Sequence, residues 1–329
     1  MRILVILTLS ILTSSLVAQS TRAPEAATQH YEFHISYWFN MHHLLWTEAF
    51  LNAEVDSSII DVQLNEEEQG QLDAAVQYYR DNLIQYNLRA GGYMGRFRDW
   101  IIQQKGTIPN VPEDFRVQMK VMFGFDAVYR RYFWSAHKSA CELVLEQNLP
   151  LIKATEGVYV EEISRLAHQS WQKERIQVSI TFLGGITKRN LRNRPYNTFS
   201  PTHVVMNTVG DDSVEGAWLE SLYYESAQHL ASRTSHFIGG TINDVAEIHQ
   251  ITAPRSLWRA YLSYFAGTLT QQLLEKQGIE YPYIYMERKS LFSRSQAALK
   301  PHLSNYMQRK TTLAEATLLI LQALPEQDE

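Results

Sequence analysis

Apolar residues along this chain switch between two spacings, and each switch marks an element. Residues His30–Tyr37 alternate, with Tyr31, Phe33, Ile35 and Tyr37 on one side and Glu32, His34 and Ser36 on the other; a period of two predicts a short strand. Asn40 is placed to cap a helix through Met41, Leu44, Leu45 and Phe50. In Asn65-Glu66-Glu67-Glu68 the asparagine can bond a free N–H while Glu68 reaches back, a capping box that predicts a helix to about Tyr86. Gly91-Gly92 interrupts the chain and Met94–Gln104 resumes it. Further helical stretches are Asp114–Phe123, Asp126–Gln147 (closed by Pro150) and Val158–Gln172.

The period then changes. Arg175–Phe182 alternates, with Ile176, Val178 and Ile180 on one face, and His203–Thr208 reads as a second strand. The polar stretch Gly184–Pro201 between them reads as a loop. Helices are predicted again at Val214–Ser232, Leu257–Lys276 and Thr311–Leu324, with Gly239-Gly240 marking a turn. The fold class expected is α+β, predominantly α-helical, with a small β-sheet just before the Val214–Ser232 helix. The expected organisation is a mainly helical region, 30–170, and a second region, 171–329, with 30–329 as one compact domain the alternative.

Composition narrows the class of partner. Among 329 residues, 45% are hydrophobic and the net charge is -5, which lacks the basic excess that nucleic-acid binding requires. A single cysteine, Cys141, precludes an internal disulfide or a cysteine metal framework; beside Leu143, Val144 and Leu145 it reads as a buried filler. Residues 1–20 carry Arg2, an apolar run Ile3–Leu12 and a small-residue end with Ala18 and Ser20. This is the layout of a secretory signal peptide, so the protein is expected to be exported, periplasmic or extracellular, with 21–29 a short tether. Once the signal is removed, no membrane span is expected.

Candidate chemistry concentrates in the helix Glu220-Ser221-Leu222-Tyr223-Tyr224-Glu225-Ser226-Ala227-Gln228-His229-Leu230. Glu225 and His229 are four apart and neighbours on a helix face. Such a pair suits metal ligation or acid–base work, and equally a half-buried ion pair or hydrogen bond.

Around this helix the chain resembles a secreted bacterial zincin-like, gluzincin-type metallopeptidase family, whose active helix has the form L-F-H-E-A-S-H. The resemblance also rests on Phe39-Asn40-Met41-His42-His43-Leu44, on Trp171 with Ile176-Gln177-Val178, and on Pro201-Thr202-His203-Val204-Val205 before the helix. Leu257-Trp258-Arg259-Ala260 through Tyr264-Phe265-Ala266-Gly267-Thr268, and Tyr281-Pro282-Tyr283, continue it. It implies a zincin-like second half.

The departures from that pattern bear on function. An H-E-x-x-H helix binds zinc through two histidines while its glutamate activates water. The ligand positions here are Tyr224 and Gln228, and only Glu225, a vestigial general base, is kept. Arg259 and Thr268 stand where the family's later helix offers its remaining candidates. No cofactor is therefore expected, and the implied protein is a pseudo-metallopeptidase with a binding or structural role toward a peptide or cell-envelope component. The alternatives are an active metal-dependent hydrolase, its zinc held by a remodelled set drawn from His42 or His43, Glu225 and His229, or an unrelated helical binding module.

His229 is one residue past the Gln228 position, rotated about 100° around the helix toward its apolar arc. His42 and His43 diverge by the same angle, so one is expected packed and the other exposed, though the resemblance places the pair near the cleft. An ion pair between Arg259 and Glu225 is expected where the metal is lost. His236 and His249 share no ligand spacing, Lys188–Arg194 reads as a solvated basic loop, and Tyr281, Tyr283 and Tyr285 as packing or groove residues.

Overall fold

The β2 strand (Tyr31–His34) takes its neighbours from far along the sequence. In the computed structural model it pairs in parallel with β3 (Ile176–Thr181), Tyr31 opposite Ile176, and β3 pairs in parallel with β7 (Thr202–Asn207). The edges are antiparallel: β1 (Ala26–Ala27) on β2, and β6 (Tyr196–Phe199) on β7. The sheet order is β1-β2-β3-β7-β6. Described are residues 25–89, 91–104, 108, 110–187, 190–199, 202–209, 215–231, 237–281 and 290–324. The signal segment, Lys188, Arg189, Pro201, His236 and the Pro282–Tyr285 fragment lie outside these.

Alternation along the strands gives the sheet two buried faces. Tyr31, Phe33, Val178, Ile180, Val204 and Met206 pack into one core. Val205 and Tyr196 pack into the other. The second core is built by α1 (Tyr37–Val55), α2 (Glu66–Asn82), α3 (Gly92–Ile101) and α4 (Arg116–Tyr129). The first is built by α5 (Ser135–Ala167), α6 (Ala217–Ala227), α7 (Ile238–Ile248), α8 (Leu257–Lys276), α9 (Ser290–Met307) and α10 (Leu313–Ala323). The chain is α+β and predominantly helical, and no helix among the described residues is long and apolar enough to cross a membrane.

Local chemistry explains where these elements begin. The capping box at Asn65 and Glu68 forms with both bonds, and a second forms at Thr312 and Glu315. Ser36, rather than Asn40, caps α1. Asn40 lies one turn inside, where its side chain accepts from the Phe182 N–H at 2.7 Å and donates to the Ser36 carbonyl at 2.9 Å. It ties α1 to the end of β3.

Four expectations change. Residues 116–167 run as one continuous helix, with a π turn at Arg130–Trp134 joining α4 to α5. Pro150 does not end it: it sits on the exposed face, as does Glu146, whose carbonyl loses its partner toward water. The polar stretch after β3 is not a loop but a hairpin of β4 (Gly185–Thr187) and β5 (Asn190–Arg194), followed by β6. Gly239 and Gly240 lie inside α7, whose Ile238, Ile242, Val245 and Ala246 supply a buried stripe that outweighs the cost of glycine. Residues 25–29 are no free tether, because Ala26–Ala27 forms β1 and Glu156 on α5 accepts from Thr28 Oγ1 (2.7 Å), Gln29 N and His30 N.

Candidate functional site

Helix α6 follows β7 and every residue in it is buried. Its start is fixed by Gly216, whose φ of 89° suits glycine and whose position leaves no room for a Cβ against Leu274 and the Tyr281 ring. Trp218 Nε1 donates to the Asn207 carbonyl at 3.2 Å, binding the helix to the end of β7. Tyr223 stacks on Tyr159 at 3.9 Å, and Tyr159 Oη donates to the Tyr223 carbonyl at 2.9 Å. These contacts set the rotation of α6, so that Tyr224 and Glu225 turn toward α8 and the β6 edge. Asn197 of β6 closes the arrangement, donating to the Glu225 carbonyl at 2.7 Å.

The α-helix ends at Ala227 and tightens into a 3-10 turn, Gln228–Leu230. In a 3-10 turn residues three apart eclipse, which brings Gln228 over Glu225. Gln228 Nε2 donates to Glu225 Oε2 at 2.6 Å. The i, i+4 face on which two zinc-binding histidines depend is thus interrupted at its second position. Glu225 is 3% exposed. Its ion pair among the described residues is with Arg89, Nη2 to Oε2 3.9 Å, from the turn between α2 and α3.

That pair corrects the expectation of an Arg259–Glu225 bridge. The Arg259 guanidinium lies over the Trp258 ring, 5.0 Å from its centroid. It remains close enough to Tyr224 for its charge to act on the phenol. Burial, followed by the Glu225 charge, pushes the Tyr224 hydroxyl far above its usual range, with Ser263, Arg259 and Arg89 pulling partly back. Tyr224 is therefore a neutral donor. Ser263 is one helical turn after Arg259 and fully buried, its hydroxyl close enough to Tyr224 to act on the phenol. Thr268 lies elsewhere on α8, beside Tyr264, whose hydroxyl donates to the Lys300 carbonyl at 3.3 Å.

The histidines are not gathered here. His229 Nδ1 is 2.6 Å from the Ser226 carbonyl, and its ring meets Trp171 edge-on at 4.8 Å, away from Glu225. Burial lowers its pKa, and the Ser226 carbonyl opposes this in part. His42 and His43 lie across the sheet from Glu225 and are both buried, because α1 is enclosed on every side. His42 Nδ1 is 3.0 Å from Tyr79 Oη, and His43 Nε2 is 3.1 Å from Tyr196 Oη. The alternation of β6 separates the two sites: Tyr196 serves His43, and its neighbour Asn197 serves α6. Cys141 is buried, its thiol pushed up to about 12 by burial.

The donor set at Tyr224, Gln228 and Arg259 does not suit zinc, which takes about three imidazole, thiolate or carboxylate ligands. Among the described residues no three His, Cys, Asp or Glu side chains converge as a metal ion would require. Arg89, Asn197 and Ser263 escape sequence reasoning. Ser263 alone left a usable signal, its i+4 spacing from Arg259; Arg89 is joined to Glu225 only through the tertiary fold. Compared with known proteins, the chain matches no family model, no curated protein and no solved structure.

Proposed function

We propose that the chain is an exported, zincin-like protein whose peptidase centre is degenerate and whose cleft serves a binding or structural role. The observation that carries this reading is the state of Glu225. A general base needs a water within reach and a metal to lower that water's pKa. The Glu225 carboxylate is instead engaged by the Gln228 amide and faced by the Arg89 guanidinium. The order of strand, helix α6 and later helix α8, with α6 packed on α8, supports the zincin-like part. A peptide or cell-envelope component is the class of partner that fits an exported protein of this kind.

Elemental analysis of protein purified without chelator tests the proposal. Zinc far below one ion per chain is the expected result. Stoichiometric zinc that is lost in His229→Ala would overturn it and restore the metal-dependent hydrolase. Export is tested separately by N-terminal sequencing of secreted protein, which should begin after Ala18 or Ser20.

A further inference from the structure

We infer that the junction of α5, α9 and α10 is a binding site for a phosphate monoester, held by Arg165, Arg309 and Lys310 with the Thr311 hydroxyl. It shares no residue with the Glu225 cleft and does not depend on how that cleft is read.

The junction encloses a cavity of about 510 Å³ that opens to solvent, a size typical of small-molecule sites, about 300–1,000 Å³. Its walls are the last turn of α5, the turn 309–312 and the first turn of α10. Two hydrogen bonds lock α5 to α9 around it. Arg165 Nη2 donates to the Met307 carbonyl at 3.3 Å, and Tyr306 Oη donates to the Leu166 carbonyl at 2.8 Å. Walls fixed in this way keep the ordering cost of binding small.

The cations at the cavity are spare. Cations at helix carboxyl ends ordinarily serve the last carbonyls, but here those carbonyls are already bonded. Ser164 and Arg165 accept from Gln169 N and His168 N, and Asn305 and Tyr306 from Lys310 N and Arg309 N. Leu166 and Met307 take the two bonds between the helices. Arg309 and Lys310 are exposed, and neither makes an ion pair or a side-chain hydrogen bond among the described residues. Arg165 spends Nε and Nη2 on Glu162, at 2.9 and 2.7 Å, which leaves Nη1 for a ligand. Arg309 also has a φ of 61° at a position where glycine would close the helix at lower cost.

The remaining groups select the ligand. Thr311 borders the cavity, and its Oγ1 is shielded from water with no hydrogen-bond partner, a costly state that a ligand oxygen relieves. Glu315 is the one carboxylate in the wall, with Oε2 bonded to Thr312 N and Oγ1 at 2.8 and 3.0 Å. The wall therefore carries two positive charges in excess, reduced toward one by Glu162 behind Arg165. A phosphate monoester, at about −1.5 to −2 near neutral pH, matches that surplus. Guanidinium and ammonium donors together suit its three free oxygens. A phosphate group fills only part of the cavity, and the rest admits the organic portion beside the Tyr306 ring. The monoester has two sources, a soluble sugar phosphate and the head group of phosphatidic acid, and these side chains accept either.

Calorimetric titration of the purified full chain tests the inference. The soluble probes are glucose 6-phosphate, glucose, glucuronate and inorganic phosphate. Flotation with phosphatidylcholine vesicles, with and without about 20% phosphatidic acid, tests the lipid source. Binding of glucose 6-phosphate identifies a soluble ligand, and binding only to the phosphatidate vesicles identifies a head group. The monoester should bind at least about tenfold more tightly than glucuronate. Arg309→Gly and Lys310→Gln should each weaken it by about tenfold. Melting temperature should hold in Lys310→Gln and rise by about 1–2 °C in Arg309→Gly.

Glucuronate or glucose binding as tightly as the monoester overturns the inference. So does binding of inorganic phosphate alone, or no binding of any phosphate probe at about 10 mM and none to the vesicles. Unchanged affinity in both variants, or losses that come with a lowered melting temperature in both, would assign these cations to the helix ends and overturn it as well. The zinc measurement is independent of every one of these results.

Discussion

On the α1 face of the sheet, His42, His43 and His203 are buried against a phenol, a phenol and the Ser179 hydroxyl. On the α6 face, Glu225 is buried against an amide and a guanidinium that extends into solvent. Both faces hold the residue types from which enzyme sites are made. On the first, neutral partners and a dry core make the imidazoles packing elements: burial holds His43 and His203 at about 3, aided by the charge of buried Arg98, and drives His42 well down. On the second, a guanidinium that reaches solvent stands beside the buried carboxylate. Histidine abundance therefore marks the dry face of this protein, and the half-exposed Arg89 marks the one open to solvent.

Acidification should break the comparison most forcibly. His43 and His203 sit at about 3 when folded, against about 6.5 in an unfolded chain. Between those values the unfolded chain binds more protons. The stability is fully present above about pH 6.5 and is lost as pH falls toward 3. Each histidine contributes on the order of several kcal/mol, comparable together with a whole domain's typical stability of about 5–15 kcal/mol. Unfolding should be complete before pH 3, with the urea midpoint, followed by tryptophan fluorescence, dropping steadily from pH 7 to pH 4. A midpoint constant over that window would place these rings in contact with water and remove the contrast between the faces.

Two substitutions probe the other face. Gly216→Ala forces a side chain into the left-handed region against Leu274 and Tyr281 and should cost about 3 kcal/mol, read as a loss of melting temperature. A neutral outcome would mean that the start of α6 is not held as rigidly as its site requires. Tyr281→Phe removes the hydroxyl that donates to buried Glu220 and should cost about 1–2 kcal/mol. An unchanged melting temperature would show that Glu220 is satisfied without it.

How far the sequence disclosed this molecule depended on whether the signal was local. The strands Ile176–Thr181 and Thr202–Asn207, the Asn65 capping box and helices α6 and α8 were legible, because periodicity and caps are written within a few residues. The β4–β5 hairpin and β6 were not: their polar, Gly- and Asn-bearing sequence reads as loop until β7 provides a strand for β6 to pair with. Pro150 misled for the converse reason, since one exposed proline is tolerated when the rest of a long helix is packed. In the site, Tyr224, Glu225 and Gln228 were legible as a set, while the cation facing Glu225 was assigned to Arg259. The displacement to Arg89 came from a turn 136 residues away, which no spacing rule connects to α6.

The smallest expected effect is the most discriminating. Arg89 and Glu225 form a pair of unequal members, one 44% exposed and the other 4% by side chain, 3.9 Å apart. Solvent around the guanidinium screens the attraction, so a double-mutant cycle with Arg89→Ala and Glu225→Gln should return a coupling below about 1 kcal/mol. Half-molar salt should reduce it further. A coupling of about 2 kcal/mol or more, insensitive to salt, would mean that water is excluded from the pair and that Arg89 is spent on Glu225. The α6 face would then be as closed as the α1 face, and Arg89 would have nothing left for a ligand. A weak, screened coupling is what an arginine with donors to spare should show.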